Sequence, residues 1–138
     1  MDKALNYLAL ARKGGMAELG EEPVGAVARA QKARLVVVAS DASDHTWRRA
    51  KSFVAGTEQQ CVRIPYTKDE MGFAIGRTSL AIAAITDAAL ALALVKALPE
   101  AEKHAAVIAV LDEKAKKIQQ RRKEEKAHQR NLRKGKKK

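Results

Sequence analysis

The chain has 138 residues, 27 of them Lys or Arg and 16 Asp or Glu, which gives a formal net charge of +11 at neutral pH. This length suits one hydrophobic core, and the single cysteine, Cys61, excludes a disulfide framework and a multi-thiolate zinc site. The sequence opens without a secretory signal and contains no apolar run long enough for a bilayer, so we expect a cytoplasmic protein.

Charge is distributed unevenly along the chain. Residues 1–98 carry 13 basic and 10 acidic side chains, whereas residues 99–138 carry 14 basic and 6 acidic ones. We therefore predict two domains, a globular body over 1–98 and a basic, partly disordered helical extension over 99–138. Basic arms of this kind bind nucleic-acid phosphates through counterion release, and a solubilising tail or a contact with an anionic membrane surface are the alternatives.

Helices and strands are expected to alternate along the body. Asp2 is positioned to cap a first helix that Gly14-Gly15 ends, and a short extended link then leads to Gly20 and a second helix with Pro23 at its first position. The unbroken β-branched run that follows, 34–39, is typical of a strand covered on both sides.

The second half of the body repeats this alternation. In chain order we expect a third helix after the cap cluster 40–44, a strand over 61–64, a fourth helix opened by a capping box of Thr67 and Glu70, a strand over 80–85 and a fifth helix from Asp87 to Leu98. This order predicts an α/β fold, a three-layer α-β-α sandwich around a small mixed sheet.

The extension begins with Pro99, which suits the first turn of one more helix. This helix has an apolar stripe at Ile108, Leu111, Ala115 and Ile118, which does not continue beyond Ile118. We therefore expect the first half to dock on the body or on a partner, and the basic remainder to be solvated or disordered.

Motifs for catalysis are nearly absent. The sequence contains no phosphate-binding loop, no dinucleotide fingerprint and no zinc-protease motif. A nucleophile pair would need His45 beside Cys61, yet a strand thiol is more often inert packing. Asp41 and Asp44 follow a buried strand and suit a metal or phosphoacceptor site, but turn and N-cap roles are favoured. We expect no enzyme, no metal and no cofactor.

Two loops favour RNA binding instead. Gly20 lets a ligand approach the start of the second helix, whose free amides form an anion site. Five cations lie nearby in sequence and are expected to line its rim: Arg12, Lys13, Arg29, Lys32 and Arg34. The second loop, Arg77-Thr78-Ser79, offers one guanidinium and two hydroxyls. Each loop alone is also explained as an ordinary turn or helix cap.

Five stretches carry a family resemblance: Leu8 to Gly15, Gly20 to Glu22, Ala33 to Ser43, Met71 to Gly76 and Ala81 to Asp87. Through them the run from Leu5 to Leu98, about 70% of the chain, resembles the kink-turn-binding ribosomal protein family of the archaeal seven-Ae type, and within it the bacterial YlxQ-like branch. The resemblance implies a ribosomal-protein-like RNA-binding α/β domain.

In that family, a Gly-x-Asn-Glu start of the second helix, with a lysine three residues later, meets the tandem sheared G·A pairs of an RNA kink-turn, and a second loop covers a flipped-out nucleotide. The resemblance aligns the family glycine with Gly20, its asparagine with Glu22, its glutamate with Pro23 and its lysine with Ala26. Of this first set the glycine alone is retained. The second loop corresponds to Arg77, Thr78, Ser79 and Leu80.

Together, residues and resemblance predict a protein that binds structured RNA, kink-turn-like or ribosomal, in association with the ribosome. The predicted RNA-binding residues are Gly20, Glu21, Glu22, Arg29, Lys32, Arg77, Thr78 and Ser79. Nonspecific phosphate contacts are assigned to Arg121, Arg122, Lys123, Arg130, Arg133, Lys134, Lys136, Lys137 and Lys138. We expect a monomer that binds neither DNA nor membrane. The alternative is a degenerate relative that acts as a protein-interaction module through Ile108, Leu111 and Ile118 and keeps a nonspecific basic RNA-binding tail.

Overall fold

Helices and strands alternate along the chain, whose computed structural model describes residues 2–136, the last five by their backbone alone. In chain order the elements are α1 Lys3–Lys13, β1 Ala17–Leu19, α2 Glu21–Arg29, β2 Leu35–Val38, α3 Asp44–Val54, β3 Gln60–Arg63, α4 Lys68–Ala74, β4 Ile82–Ile85, α5 Ala88–Lys96, a 3₁₀ turn Ala101–His104 and α6 Ala105–Lys136. The predicted order of elements over the body is confirmed.

The strands form one mixed sheet in the order β1-β4-β2-β3. β4 is antiparallel to both of its neighbours, while β2 and β3 are parallel. Every residue of β2 and β4 is buried, because helices cover both faces of the sheet. One layer contains α1, α4, α5 and the first half of α6, and the other contains α2 and α3. The predicted α-β-α sandwich is confirmed.

The sheet has two ends, which we name after residues that lie there. β1 and β2 run toward the Gly20 end, where the amide of Gly20 donates to the carbonyl of Ile82 at 3.0 Å. β4 runs back to the Arg34 end, where the amide of Arg34 donates to the carbonyl of Ile85 at 2.8 Å. Helices that pack along the strands therefore have one terminus near each end.

Side-chain caps start four helices where the sequence predicts them. In α3 the hydroxyl of Ser43, within the predicted cap cluster, accepts a hydrogen bond from the amide of Thr46 at 3.1 Å. Asp2 accepts a hydrogen bond from the amide of Ala4 at 3.2 Å. Thr67 and Glu70 form the predicted capping box, with N···O distances of 3.1 Å in both directions. Asp87 caps α5 through the amide three residues later, at 2.9 Å. These caps satisfy amides that have no acceptor inside their own helix.

The extension folds back along the body before it leaves it. After Glu100, whose φ of 55° is left-handed, the 3₁₀ turn leads into α6, which packs antiparallel to α5. Leu111 is 1% exposed inside the core, and Ile108 packs against the same cluster. Of the two predicted docking sites for this half, the body is therefore the one that the structure shows. The division of the chain at residue 98 stays a prediction.

The second half of α6 continues past the body. From Gln119 to Asn131 every residue is exposed, which fits the prediction of a solvated basic remainder. Across residues 2–136, no helix has both the length and the apolarity that crossing a bilayer requires.

Candidate nucleic-acid interface

The start of α2 is shaped by one glycine. Gly20 is the N-cap with φ 94° and ψ 161°, a backbone conformation that residues other than glycine rarely adopt. A Cβ added to Gly20 would meet the Pro23 ring only at 3.9 Å, so the backbone angle, and not lack of space, requires glycine there. The sequence predicted Pro23 as the first helical residue, but with Gly20 as the cap it is the third. Proline still fits there, because an amide in the first turn has no acceptor inside the helix.

Two amides are open at this helix start. The N–H groups of Glu21 and Glu22 have no acceptor among the described residues, and Pro23 has no N–H. The carboxylate of Glu21 forms an ion pair with Arg49 of α3, whose guanidinium lies 5.3 Å from the centre of the Phe53 ring. The Glu22 side chain is exposed. The arrangement offers an anion two backbone donors at the positive end of a helix dipole.

The second predicted loop is held by backbone contacts. Arg77, Thr78 and Ser79 are all exposed between α4 and β4. The amide of Arg77 donates to the carbonyl of Gly72 at 2.8 Å. A Cβ added to Gly72 would lie 2.7 Å from the Ser79 nitrogen, so α4 and the loop touch through a surface that only glycine permits. Gly72 was missed by sequence reasoning, although a glycine inside a predicted helix is a signal of close approach.

The structure brings these two loops to the same end of the sheet. The loop that contains Arg77 leads directly into β4, and Ile82, the first residue of β4, accepts the hydrogen bond from the amide of Gly20. Gly20 is therefore bonded three residues beyond Ser79, and the start of α2 and the loop lie at the same end of the sheet.

Arg29 and Lys32 lie elsewhere. Arg29 is the last residue of α2, and the nine residues of this helix rise by about 13 Å from its start. Lys32 follows at the Arg34 end. Arg12 and Lys13, in the last turn of α1, and Arg34, before β2, are at the Arg34 end as well. The expectation that these five cations line the rim of the Gly20 loop is wrong, because a helix that starts at one end of a sheet carries its last turn to the other.

The basic residues assigned to phosphate contacts are placed in part. Arg121, Arg122, Lys123 and Arg130 are exposed along α6. The side chains of Arg133, Lys134 and Lys136, and all of Lys137 and Lys138, lie outside what the structure describes.

Two residues considered for catalysis, Asp41 and Cys61, have structural explanations. The Asp41 carboxylate accepts a hydrogen bond from the amide of Lys68 at 2.8 Å, which fits the favoured turn and cap role. Burial raises the pKa of the Cys61 thiol to about 12, which keeps it in the weakly nucleophilic neutral form. Across residues 2–136, no three His, Cys, Asp or Glu side chains are grouped so that they could hold a metal ion.

Comparisons with known proteins give one sequence relative and a shared fold. No family model matches the chain. The RNA-binding protein YlxQ of Enterococcus faecium is 35% identical over 75 residues, which are 54% of this chain and 72% of that protein. A structure of a protein of unknown function from Bacillus halodurans C superimposes with a TM-score of 0.61 at 24% identity, over 79% of this chain and 99% of the other. The 15.5kD RNA binding protein of Giardia lamblia gives a TM-score of 0.61 at 19% identity, over 76% and 87%.

Proposed function

Because this chain belongs to the family of the RNA-binding protein YlxQ, we propose that it binds structured RNA and catalyses no reaction. The proposed ligand is a kink-turn-like or ribosomal RNA segment, bound at the Gly20 end by a protein that associates with the ribosome. Shape and phosphate contacts provide much of the recognition of structured RNA, so the site needs few base-reading side chains.

The observation that supports this proposal is that two exposed segments share one end of the sheet. The open amides of Glu21 and Glu22 and the Arg77–Ser79 loop are both at that end, where the amide of Gly20 donates to Ile82 three residues beyond Ser79. An RNA backbone that turns sharply presents phosphates to the amides, and the guanidinium and hydroxyls of the loop contact the nucleotide that the turn exposes.

Side-chain recognition of bases is reduced at this site relative to the family pattern. Glu22, Pro23 and Ala26 replace an amide, a carboxylate and a cation, so backbone donors and the second loop have a larger share of the contact. We therefore expect the contacts to follow the bent shape that the G·A pairs give the RNA, with few side chains reaching the bases of those pairs.

The alternative of a protein-interaction module receives less support. It depended on an apolar stripe open to a partner, but Leu111 lies in the core of its own chain and Ile108 packs against it.

The test compares RNAs and loop variants in the full-length protein. Binding of a kink-turn duplex is measured beside the same duplex with its G·A pairs replaced, at low and at moderate salt. We expect tighter binding to the kink-turn, and a loss of that preference in Arg77→Ala/Ser79→Ala. Lys96→Ala removes one exposed cation from the last turn of α5 and should leave the preference intact. Equal binding to both duplexes by the wild type would contradict the proposal.

A further inference from the structure

A group of five cations lies at the Arg34 end of the body, away from the loops described above. Arg12 and Lys13 close α1, Arg29 closes α2, and Lys32 and Arg34 precede β2. None of these five side chains forms an ion pair with a described side chain. Cations in a last helical turn also stabilise the helix dipole, but Lys32 and Arg34 lie outside any helix and have no such role.

Few acidic residues offset this charge. Glu58 pairs with Lys114 of α6, and Asp87 is occupied as the cap of α5. The Gly20 end is different, because its cations Lys3, Arg63, Lys68, Arg77 and Lys96 are outnumbered by carboxylates. These carboxylates are Asp2, Glu21, Glu22, Asp41, Asp44, Asp69 and Glu70. A polyanion is therefore attracted more strongly to the Arg34 end than to the Gly20 end.

The same end is where α6 leaves the body. Lys114 and Arg34 line one groove of about 470 Å³ together with Glu58 and Thr57, which joins the root of α6 to the basic end of the sheet. Beyond Lys114 the helix continues to Lys136, a further 22 residues that rise by about 33 Å. The exposed half of α6 thus extends the basic end of the sheet and does not reach back to the Gly20 end.

One face of this exposed half is a row of cations. Arg122, Lys126 and Arg130 are spaced by four residues, so they share a face with steps of about 6 Å along the helix axis. Glu124 lies on another face, where its carboxylate accepts a hydrogen bond from Gln120 at 3.1 Å. Glu125, three residues after Arg122, borders the row on one side. The row faces solvent over its whole length.

We propose that the Arg34 end and the exposed half of α6 form a second RNA-binding surface, separate from the Gly20 end, which binds the phosphate backbone of a duplex without reading its sequence. The ligand class rests on the proposed function, since RNA binding is what the family membership supports. With the two surfaces at opposite ends of the sheet, one molecule joins two RNA segments.

The experiment uses full-length protein and two RNAs, a kink-turn duplex and a straight A-form duplex of equal length. Two triple variants each remove three exposed cations: Lys13→Ala/Arg29→Ala/Lys32→Ala at the sheet end, and Arg122→Ala/Lys126→Ala/Arg130→Ala on α6. Lys3→Ala/Lys96→Ala/Lys103→Ala removes the same charge from the layer of α1, α5 and the 3₁₀ turn and serves as the matched control. Circular dichroism verifies that each variant folds.

We expect each triple variant to bind the straight duplex about tenfold more weakly, with a log–log salt slope reduced by about 3, whereas the control keeps the wild-type values. We also expect excess straight duplex to leave kink-turn RNA bound to the wild type. The proposal is overturned if the triple variants match the control, or if the straight duplex displaces the kink-turn from a wild type that prefers the kink-turn. If the triple variants lose the straight duplex and the wild type shows no kink-turn preference, the second surface stands and the proposed function of the Gly20 end fails.

Discussion

The ammonium group of Lys114 on α6 forms an ion pair with the carboxylate of Glu58, in the loop that precedes β3. These residues are 56 positions apart in sequence. Their contact fixes the root of α6 against the edge of the sheet, at the point where the helix begins to leave the body.

This pair gives a prediction for pH dependence. The pKa of Glu58 lies below its ordinary value, mainly because Lys114 donates a hydrogen bond to the carboxylate and secondly because of the positive charge of Lys114. A lowered pKa in the folded state means that the contribution to stability is present at neutral pH and is lost as the pH falls through the folded-state value. We expect Lys114→Met to raise the pKa of Glu58 toward its ordinary range, as measured by an NMR titration of the side-chain carboxyl. An unchanged midpoint in the variant would show that the pair does not form in solution.

The close approach of Gly72 to the second loop gives a prediction for stability and binding. In Gly72→Ala the new methyl group meets the Ser79 backbone, which cannot rotate away, and we expect a loss of about 1–3 kcal/mol in the free energy of unfolding. Displacement of the loop should also weaken kink-turn binding. Urea denaturation and RNA titration measure the two effects.

Gly25→Ala is the matched control, because Gly25 also lies inside a helix and gains the same helix propensity. Its new methyl group would meet the ring of Phe53 at 3.1 Å, a side chain that can shift by a few tenths of an ångström. If the two variants unfold at the same urea concentration, the contact between Gly72 and Ser79 does not constrain the loop.

Cys61 gives a prediction for chemical reactivity. With a pKa of about 12, caused by burial, on the order of one thiol in ten thousand is ionised at pH 8. We expect iodoacetamide to alkylate Cys61 much more slowly in the folded protein than in urea. Because the thiol has the higher pKa in the folded state, stability should decline above about pH 9, where the unfolded chain begins to ionise first. Cys61→Ala should lack this part of the alkaline decline, and rapid alkylation of the native protein would contradict the assignment.

The departures from the family pattern can be reversed at two exposed positions on α2. Glu22→Asn removes a carboxylate that repels phosphate and adds an amide, and Ala26→Lys adds a cation one turn later. Each change is worth about 1 kcal/mol, so the double variant should bind a kink-turn about tenfold more tightly or better. Glu102→Asn/Ala106→Lys makes the same changes at exposed positions near the start of α6 and controls for charge alone. Equal gains in both double variants would mean that α2 does not contact the RNA.

Local signals predicted most of the fold. A cap such as Asp87 and the capping box of Thr67 and Glu70 depend on residues three positions apart, so their chemistry is visible in the sequence. The burial of β2 and β4 followed from unbroken apolar runs. Such features need no knowledge of which elements become neighbours.

The features that were missed depend on direction and on distant contacts. Arg29 follows Gly20 closely in sequence, yet α2 carries it to the opposite end of the sheet. The approach of Gly72 to Ser79 depends on how a loop returns over its helix. The docking of Leu111 was predicted, but the choice between the body and a partner was left open, because the groove that holds it is made by other elements. Periodicity indicates that a residue will be buried but not which element will bury it.

The burial of Leu111 divides α6 into two thermodynamic regimes. Removing a fully buried leucine side chain from a core costs about 2–5 kcal/mol, so the backbone amides around it should exchange with deuterium only when the whole molecule unfolds. From Gln119 to Asn131 every residue is exposed, and a helical segment of that length is marginally stable in water, so its amides should exchange through local fraying. Protection of the backbone amides from exchange should therefore fall steeply along α6, although the helix is unbroken. Binding of an RNA duplex to the exposed half should slow amide exchange there and leave exchange around Leu111 unchanged.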